Sequence, residues 1–295
     1  MSRNLTYAAI TPARNEAENL PRLAESLAAQ SVLPAQWILV DNGSTDGTSA
    51  LAASLVSRYD WARTVNVPNE HTRPGAPVVR AFNAGLAELD VVPEVVVKLD
   101  ADVSFEPSYF EDLLRAFSDD PALGIASGVC WELKGDEWRP IHVTGDHVRG
   151  ATRAYRWTCL QDVGPLPEVM GWDGVDELTA SVLGWRTHCI DHVRFFHHRK
   201  VGERDGARTA RWLAEGRSSH YMGYRLSYML ARTLGRAVRD RDVAAFAMLW
   251  SFIVAALRRE PRHPDERVIR YLRRQQSLKA LPVRLVESFA GWRAS

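Results

Sequence analysis

The chain has 295 residues, 46% of them hydrophobic and 25% charged, with a formal net charge of +1 at pH 7. This composition is ordinary for a globular protein and suits one large domain, or one domain with an extension. The sequence contains no apolar run of about 18 residues, so a transmembrane helix is not expected. The small net charge hides an asymmetry, because residues 199–295 hold 21 basic and 9 acidic side chains, against 16 and 27 in residues 1–198.

Alternating strands and helices are predicted over the first hundred residues. Apolar residues at helical spacing alternate with short β-rich runs, which is typical of a parallel sheet with helices on both faces. In such sheets, ligands bind outside the carboxyl ends of the strands. The predicted strands cover 5–11, 36–40, 64–69 and 94–100, and the predicted helices cover 13–30, 49–59 and 77–89.

The pattern changes after about residue 105, and from about residue 200 it indicates a mainly helical, Arg-rich region. Between these points the sequence predicts helices at 107–121, near 151–160 and at 173–185, strands at 124–133 and within 186–199, and a loop at 135–150.

The segment VVVKLDADVSF, residues 95–105, ends a buried strand on two carboxylates. Asp100 and Asp102 are separated by one residue, so in an extended chain their side chains point the same way. Two carboxylates so placed suit Mg²⁺ or Mn²⁺, whose remaining ligands phosphates can supply. A helix N-cap or a solvated turn is the alternative explanation of the pair.

Two further polar loops follow predicted strands. In TPARNEAENL, Pro12 follows a strand and Glu16 opens a helix, where an acidic residue also complements the helix dipole. In VDNGSTDGTS, Asp41 ends an apolar strand and could accept hydrogen bonds from a base or a ribose. Residues 42–46 are equally good turn and N-cap chemistry, so each loop taken alone is explained structurally.

Together, the segments ARNEAENL, ILVDNGSTDGTS, AFNAGL and VVVKLDADVSFEP resemble family 2 glycosyltransferases in order and spacing, over about residues 5–120 and more weakly to about 200. The resemblance implies the GT-A fold, with a Rossmann-like, mostly parallel sheet, and a bacterial polysaccharide or glycolipid pathway. It divides the chain into a catalytic domain at 1–198, with a nucleotide-sugar half at 1–105 and an acceptor half at 106–198, and a basic helical region at 199–295.

The resemblance also implies the reaction and the site. The enzyme would move a sugar from a nucleoside diphosphate sugar to an acceptor hydroxyl, with inversion and a divalent metal, Mn²⁺ or Mg²⁺. The implied metal ligands are Asp102, Asp100 and one histidine of FFHHR. That histidine is either His198 or His197, because alternation along a strand lets only one of the two face the site. We take His198. The implied donor-binding residues are Pro12, Ala13, Arg14, Glu16, Asp41, Asn42, Ser44, Arg73, Arg80, Asp100, Ala101 and Asp102.

Two positions depart from the family pattern. The usual Ala-Arg-Asn-x-Gly reads Ala-Phe-Asn-Ala-Gly over 81–85, with Arg80 one place early, so Arg80 and Arg73 compete for the diphosphate. The usual Glu-Asp pair of the catalytic base is missing from GWDGVDELTASVLGW. We favour Asp176, then Asp173, over Glu177 as the base. Asp176 and Glu177 could instead be plain N-terminal helix acids.

The three cysteines, Cys130, Cys159 and Cys189, show no CxxC or zinc spacing, which favours a reducing compartment. The N-terminal segment has no long apolar region, so a cytoplasmic protein is expected. The basic tail interleaves Arg with apolar residues, which allows peripheral contact with the inner face of a membrane. Packing on the catalytic domain is the alternative, and no nucleic-acid module is recognisable.

Two rival functions are kept. A nucleotidyltransferase that makes the sugar nucleotide would need a glycine-rich loop with a following Arg and Lys, which is absent near residue 12. A non-catalytic module that binds nucleotide sugars would explain the missing Glu-Asp pair.

Overall fold

The computed structural model describes residues 5–68, 76–141, 147–169, 171–198, 208–239 and 243–277. The strands are β1 Tyr7–Ala13, β2 Gln36–Asn42, β3 Ala62–Val67, β4 Val95–Leu99, β5 Val103–Phe105, β6 Leu123–Lys134, β7 Glu137–Pro140, β8 Thr152–Arg156 and β9 Arg186–His197. The helices are α1 Leu20–Ala28, α2 Thr48–Val56, α3 Ala76–Ala87, α4 Tyr109–Asp119, α5 Trp157–Val163, α6 Trp172–Val182, α7 Arg208–Tyr221, α8 Leu226–Arg239, α9 Phe246–Leu257 and α10 Glu266–Gln275.

Within those ranges the strands form one sheet in the order β3-β2-β1-β4-β8-β6-β9-β5, and β7 pairs with β6. The first four strands are parallel, as the sequence predicts. The rest of the sheet is mixed, because β8 runs antiparallel to both β4 and β6 while β9 runs parallel to β6. The parallel half therefore brings the carboxyl ends of β1, β2 and β4 to one edge.

The predicted layers of helix on both faces of the sheet are confirmed. Every residue of β4 is buried, which requires an apolar layer above and below it. One layer contains α1, α2 and α4, and the other contains α3, α5 and α6. This arrangement positions the loops after β1, β2 and β4 rigidly, since each loop joins a buried strand to a packed element.

One predicted element is wrong in part. Residues 151–160 are not a single helix, because β8 occupies 152–156 and only the following α5 is helical. Four of the five residues of β8 are buried as it fills the sheet between β4 and β6, so tertiary pairing overrides local preference. The predicted loop at 135–150 also contains the short β7.

The C-terminal region is helical where it is described, as predicted. Its helices pack together around Met229, Met248 and Phe252, and Leu272 of α10 reaches Val175 of α6. None of the helices in the described part of the chain meets the length and hydropathy that a bilayer span requires. The three cysteines are free and buried.

Candidate active site

Three side chains that suit a divalent cation meet at the edge of the sheet beyond β4. Ligand atoms of Asp100, Asp102 and His197 all lie within 4.8 Å of one another. Nε2 of His197 lies 3.4 Å from Oδ1 of Asp102. Two carboxylate oxygens and an imidazole nitrogen form a donor set that Mn²⁺ accepts. The residues present therefore fit the metal that the sequence resemblance implies.

The structure places His197, and not the predicted His198, against the aspartates. In the pairing of β5 with β9, Val103 lies opposite His197, and the His197 ring reaches the carboxylate of Asp102, which directly precedes β5. His198 points the other way, where its Nε2 lies 2.8 Å from Oγ of Ser104. Burial lowers the pKa of His198 to about 4, so this ring is neutral at pH 7.

A residue that sequence reasoning missed, Glu132, lies behind His197. Its Oε1 is 3.6 Å from Nδ1 of His197, and both atoms are buried without a hydrogen-bond partner among the described residues. A carboxylate on the far nitrogen of a histidine is the usual support for a metal ligand. The nearby thiol of Cys130 is a poor ligand, because burial raises its pKa to about 12.

Lys98 is a second missed residue. It is buried on β4, and its Nζ pairs with Oδ1 of Asp100 and donates to the carbonyl of Gly150 at 2.8 Å. Burial raises the pKa of Asp100, the charge of Lys98 opposes that rise, and the charge of Asp102 adds to it. Lys98 therefore fixes the position of Asp100 and offsets part of the repulsion between the two aspartates.

The loops after β1 and β2 are joined by hydrogen bonds centred on Asn15, which sequence reasoning also missed. Asn15 has a positive φ of 54°, its N–H donates to Oγ of Ser44, and its Oδ1 accepts from the N–H of Thr45. The N–H of Glu16 donates to Oγ1 of Thr48 at 2.8 Å. The predicted nucleotide loop and the loop after Asp41 are thus held as one surface.

Asp41 is buried at the end of β2 and bound by its own loop. Oδ1 accepts from the backbone N–H of Ser44 at 3.1 Å, and the hydroxyls of Ser44 and Ser49 also donate to the carboxylate. The side chain of Glu16 is likewise buried and accepts from Nδ2 of Asn19 at 2.7 Å. These contacts show that both carboxylates stabilise their own loops. Their role in the donor site stays a prediction.

The remaining predicted donor-binding residues that the structure describes lie near the ends of β1, β2 and β4 or on α3. Pro12 and Ala13 pair with β2, beside Asp41, and the backbone of Ala101 lies between the two aspartates. Arg14 directly follows β1, Nδ2 of Asn42 donates to the carbonyl of Pro77, and Arg80 forms an ion pair of 2.8 Å with Glu168. Arg73 lies outside the described residues.

Of the carboxylates on α6, Asp176 is fully buried and bound by Arg153. Nε and Nη2 of Arg153 donate to the two carboxylate oxygens at 2.9 and 2.6 Å, and the Tyr155 hydroxyl donates to the same group. Burial alone would lower the pKa of Arg153, but Asp176 and other nearby groups raise it, so the guanidinium stays charged. This geometry makes Asp176, our first choice of base from sequence, part of the interior.

Glu177 is held in a similar way. Its Oε1 accepts from the N–H of Val148 at 2.6 Å, and its Oε2 lies 2.9 Å from Nδ1 of His147. Arg153 also reaches it at 3.1 Å. Glu177 therefore anchors His147 and Val148 to α6.

Asp173, by contrast, lies in the first turn of α6, where Gly150 and Lys98 connect it to the aspartate pair. A Cβ on Gly150 would lie 3.3 Å from Oδ2 of Asp173, and Gly150 contacts Lys98, which pairs with Asp100. Within the described part of the chain, no hydrogen-bond donor reaches the Asp173 carboxylate, so it is available to a substrate. Trp172 beside it is mostly buried, and Lys98 Nζ lies 5.5 Å from its ring centre.

Replacing Asp176 with Asn is expected to destabilise the fold by about 3–5 kcal/mol, because it removes the closer of the two carboxylates that pair with the buried Arg153. Urea unfolding followed by circular dichroism measures this change. The matched Asp173→Asn variant, three residues earlier on the same helix, is expected to unfold like the wild type. Equal stability of Asp176→Asn and the wild type would contradict the structural role of the ion pair.

Solved structures with a similar fold include a mannosyltransferase. Mannosyltransferase PcManGT from Pyrobaculum calidifontis, in complex with GDP-Man and Mn²⁺, is 16% identical, with a TM-score of 0.59 over 98% of this chain and 85% of that one. TarS 1–349 of S. aureus with UDP-GlcNAc is 17% identical, with a TM-score of 0.57 over 84% and 72%. GalNAc-T7 with UDP, GalNAc and Mn²⁺ is 11% identical, with a TM-score of 0.61 over 88% and 59%. At these identities the likeness shows the fold.

The family follows from the sequence itself. The model of the family described as "Glycosyl transferase family 2" matches residues 8–160, which is more than half of the chain. The matched range contains the joined loops after β1 and β2, the aspartate pair and Lys98. The chain therefore belongs to glycosyl transferase family 2 and is a glycosyltransferase.

Proposed function

We propose that this glycosyltransferase is metal-dependent and inverting, and that it transfers a sugar from a nucleoside diphosphate sugar to an acceptor hydroxyl on a glycan or a lipid-linked sugar. The observation that carries the proposal is the meeting of Asp100, Asp102 and His197 at the sheet edge, where the loops after β1 and β2 also end. Two relatives of the same fold were solved with Mn²⁺, which supports the metal.

In this proposal, Asp102, Asp100 and His197 hold the cation. A bound Mn²⁺ or Mg²⁺ would offset the charge of the donor diphosphate and of the departing nucleoside diphosphate. Lys98 keeps Asp100 in place, and Glu132 orients His197. The loops joined through Asn15 would bind the nucleoside. The ligands of the relatives include both guanine and uracil nucleotides, so the donor panel includes both bases.

The proposed general base is Asp173. Its carboxylate takes the proton of the acceptor hydroxyl while that oxygen attacks the anomeric carbon. The bond between the anomeric carbon and the diphosphate oxygen breaks at the same time, and the diphosphate leaves with the electron pair. Attack opposite the leaving group inverts the anomeric configuration.

A panel of nucleotide sugars tested by thermal shift, with Mn²⁺, with Mg²⁺ and with a chelator, identifies the donor. We expect one donor class to raise the melting temperature only when the metal is present, since a ligand that binds the folded state stabilises it. A stabilising donor whose effect is unchanged by the chelator would contradict metal-dependent binding. Incubation with a nucleoside triphosphate and a sugar phosphate tests the rival nucleotidyltransferase, for which sugar-nucleotide formation would be the result.

Replacing Glu132 with Ala is expected to weaken Mn²⁺ binding about 10–100-fold, the usual effect of losing the group that orients a ligating histidine. Glu132→Gln keeps an acceptor oxygen opposite Nδ1 of His197 and is expected to lose less. Titration of Mn²⁺ followed by electron paramagnetic resonance, with nucleoside diphosphate present, measures the affinity directly. Unchanged affinity in Glu132→Ala would show that the carboxylate does not support His197.

A further inference from the structure

The outward face of α8 is apolar, unlike that of an ordinary surface helix. Four apolar side chains, each four residues after the last, form a row along it. All four are exposed, Val238 to 78%. The buried Met229 and Thr233 lie on a neighbouring stripe of the helix, so the exposed row is not the packing face. The row consists of Leu226, Leu230, Leu234 and Val238.

A second apolar row continues this surface on α9 and on the turn before it. Val243, Phe246, Trp250 and Leu257 are exposed, while Met248 packs into the helical core. The two helices pack against each other, and the two rows meet at one end because Leu226 and Leu257 line the same groove. We call these eight side chains, from Leu226 to Leu257, the apolar face; their exposure ranges from 43% to 81%.

The groove at the end of the apolar face is rimmed by arginines. It has a volume of about 650 Å³, and Arg225, Arg262 and Arg273 line it together with Phe252 and Ile253. Nε of Arg225 donates to the carbonyl of Arg273 at 3.0 Å, and Nε of Arg273 donates to the carbonyl of Gly223 at 2.8 Å. Among the described residues, no carboxylate pairs with these three arginines. Within that part of the chain their positive charge is uncompensated.

We propose that the apolar face and its arginine-rimmed groove dock this protein on a bilayer that contains anionic phospholipids. A lipid phosphate would lie among Arg225, Arg262 and Arg273, and the Leu and Trp side chains of the apolar face would enter the acyl region. Apolar side chains beside clustered arginines are the combination that an anionic membrane surface attracts. No residue of the candidate active site takes part, so the proposal stands apart from the proposed reaction.

A second copy of the chain fits this surface less well. Soluble homodimers are most often two-fold symmetric, so the same patch would supply both sides of the contact. Among the described residues of the matching patch, the arginines of one copy would then find no carboxylate in the other. Anionic lipids provide the opposite charge directly. Each arginine near the surface raises the affinity for the membrane roughly fivefold.

Co-sedimentation of the full chain with vesicles tests the proposal. We expect binding to vesicles of phosphatidylcholine with phosphatidylglycerol, weak binding to phosphatidylcholine alone, and loss of binding as salt is raised. Replacing both Arg225 and Arg262 with Gln is expected to weaken binding to the anionic vesicles roughly 30-fold, by the same fivefold for each arginine. Equal binding to both vesicle types would overturn the proposal.

Two matched substitutions separate the apolar face from a general effect of added charge. Val238 and Val92 are exposed to 78% and 77%, and only Val238 belongs to the apolar face. Val238→Glu is expected to weaken vesicle binding about tenfold, equivalent to one valine side chain kept out of an apolar phase, while Val92→Glu leaves it unchanged. Equal binding by the two variants would overturn the proposal. The proposal would also be overturned if the wild type were a dimer that binds no vesicles and Val238→Glu converted it to a monomer.

Discussion

Replacing Asp102 with Asn is expected to lower donor turnover about a thousandfold or more while the fold survives. The substitution removes a charged ligand from the group formed with Asp100 and His197. A metal that stabilises the leaving diphosphate supplies several kcal/mol, and each ~1.4 kcal/mol changes the rate tenfold. Release of nucleoside diphosphate from the stabilising donor, assayed with saturating Mn²⁺, measures the loss.

Asp60→Asn is the matched control for this prediction. Asp60 is exposed just before β3 begins, at the amino ends of the parallel strands and so at the edge opposite the aspartate pair. We expect its turnover to equal that of the wild type. If Asp102→Asn and a chelator both left donor turnover unchanged, the metal assignment of Asp100, Asp102 and His197 would be wrong.

Replacing Asp173 with Asn is expected to lower the turnover number about 10²–10⁴-fold, the usual contribution of a general base. Donor binding should persist, because Asp173 is not among the residues grouped for the metal. The acceptor hydroxyl is unchanged, and the variant lacks only the carboxylate that takes its proton. Steady-state kinetics of sugar transfer, with donor affinity measured separately, divides the two effects.

Asp176→Asn provides the comparison on the same helix. Its expected effect is on the free energy of unfolding, and molecules that remain folded should transfer sugar because Asp176 contacts Arg153 and Tyr155 rather than the open site. The opposite result, full activity in Asp173→Asn and a folded but inactive Asp176→Asn, would return the role of base to Asp176.

The parallel half of the fold could be predicted from the sequence because its information is local. The apolar run before Asp100 has the pattern of a strand buried on both faces, and the spacing of Asp100 and Asp102 fixes their common direction. Since ligands collect at the carboxyl ends of parallel strands, three loops could be assigned to one edge before any coordinates were known. These local rules predicted where the site is.

The choice between His197 and His198 could not be made in the same way. Alternation along β9 says that one of the two faces the aspartates, but it does not say which. The backbone N–H of His198 donates to the carbonyl of Asp102, yet the imidazole beside the Asp102 carboxylate is that of His197. The neighbouring pairing of β9 with β6 also contains irregularities in register, so counting residues from an earlier point fails. Glu132 was missed for a similar reason, because it approaches His197 from β6, about 65 residues earlier in the chain.

The burial of Asp176 had a signal in the sequence that could have been read. Trp172, Asp176 and Ala180 are spaced by four residues, so on a helix they share one face, and all three are buried. What the spacing does not reveal is the partner that makes a buried carboxylate tolerable. Arg153 supplies that charge from β8, in a segment that the sequence indicated as helix.

Calorimetric titration of the donor into the wild-type chain tests the central claim most directly. With Mn²⁺ present, the account predicts one donor site per chain, and it predicts that Asp102→Asn or a chelator removes the binding. Equal binding of the donor with Mn²⁺ and with a chelator, in a chain that still transfers sugar, would contradict a metal–diphosphate site at Asp100, Asp102 and His197.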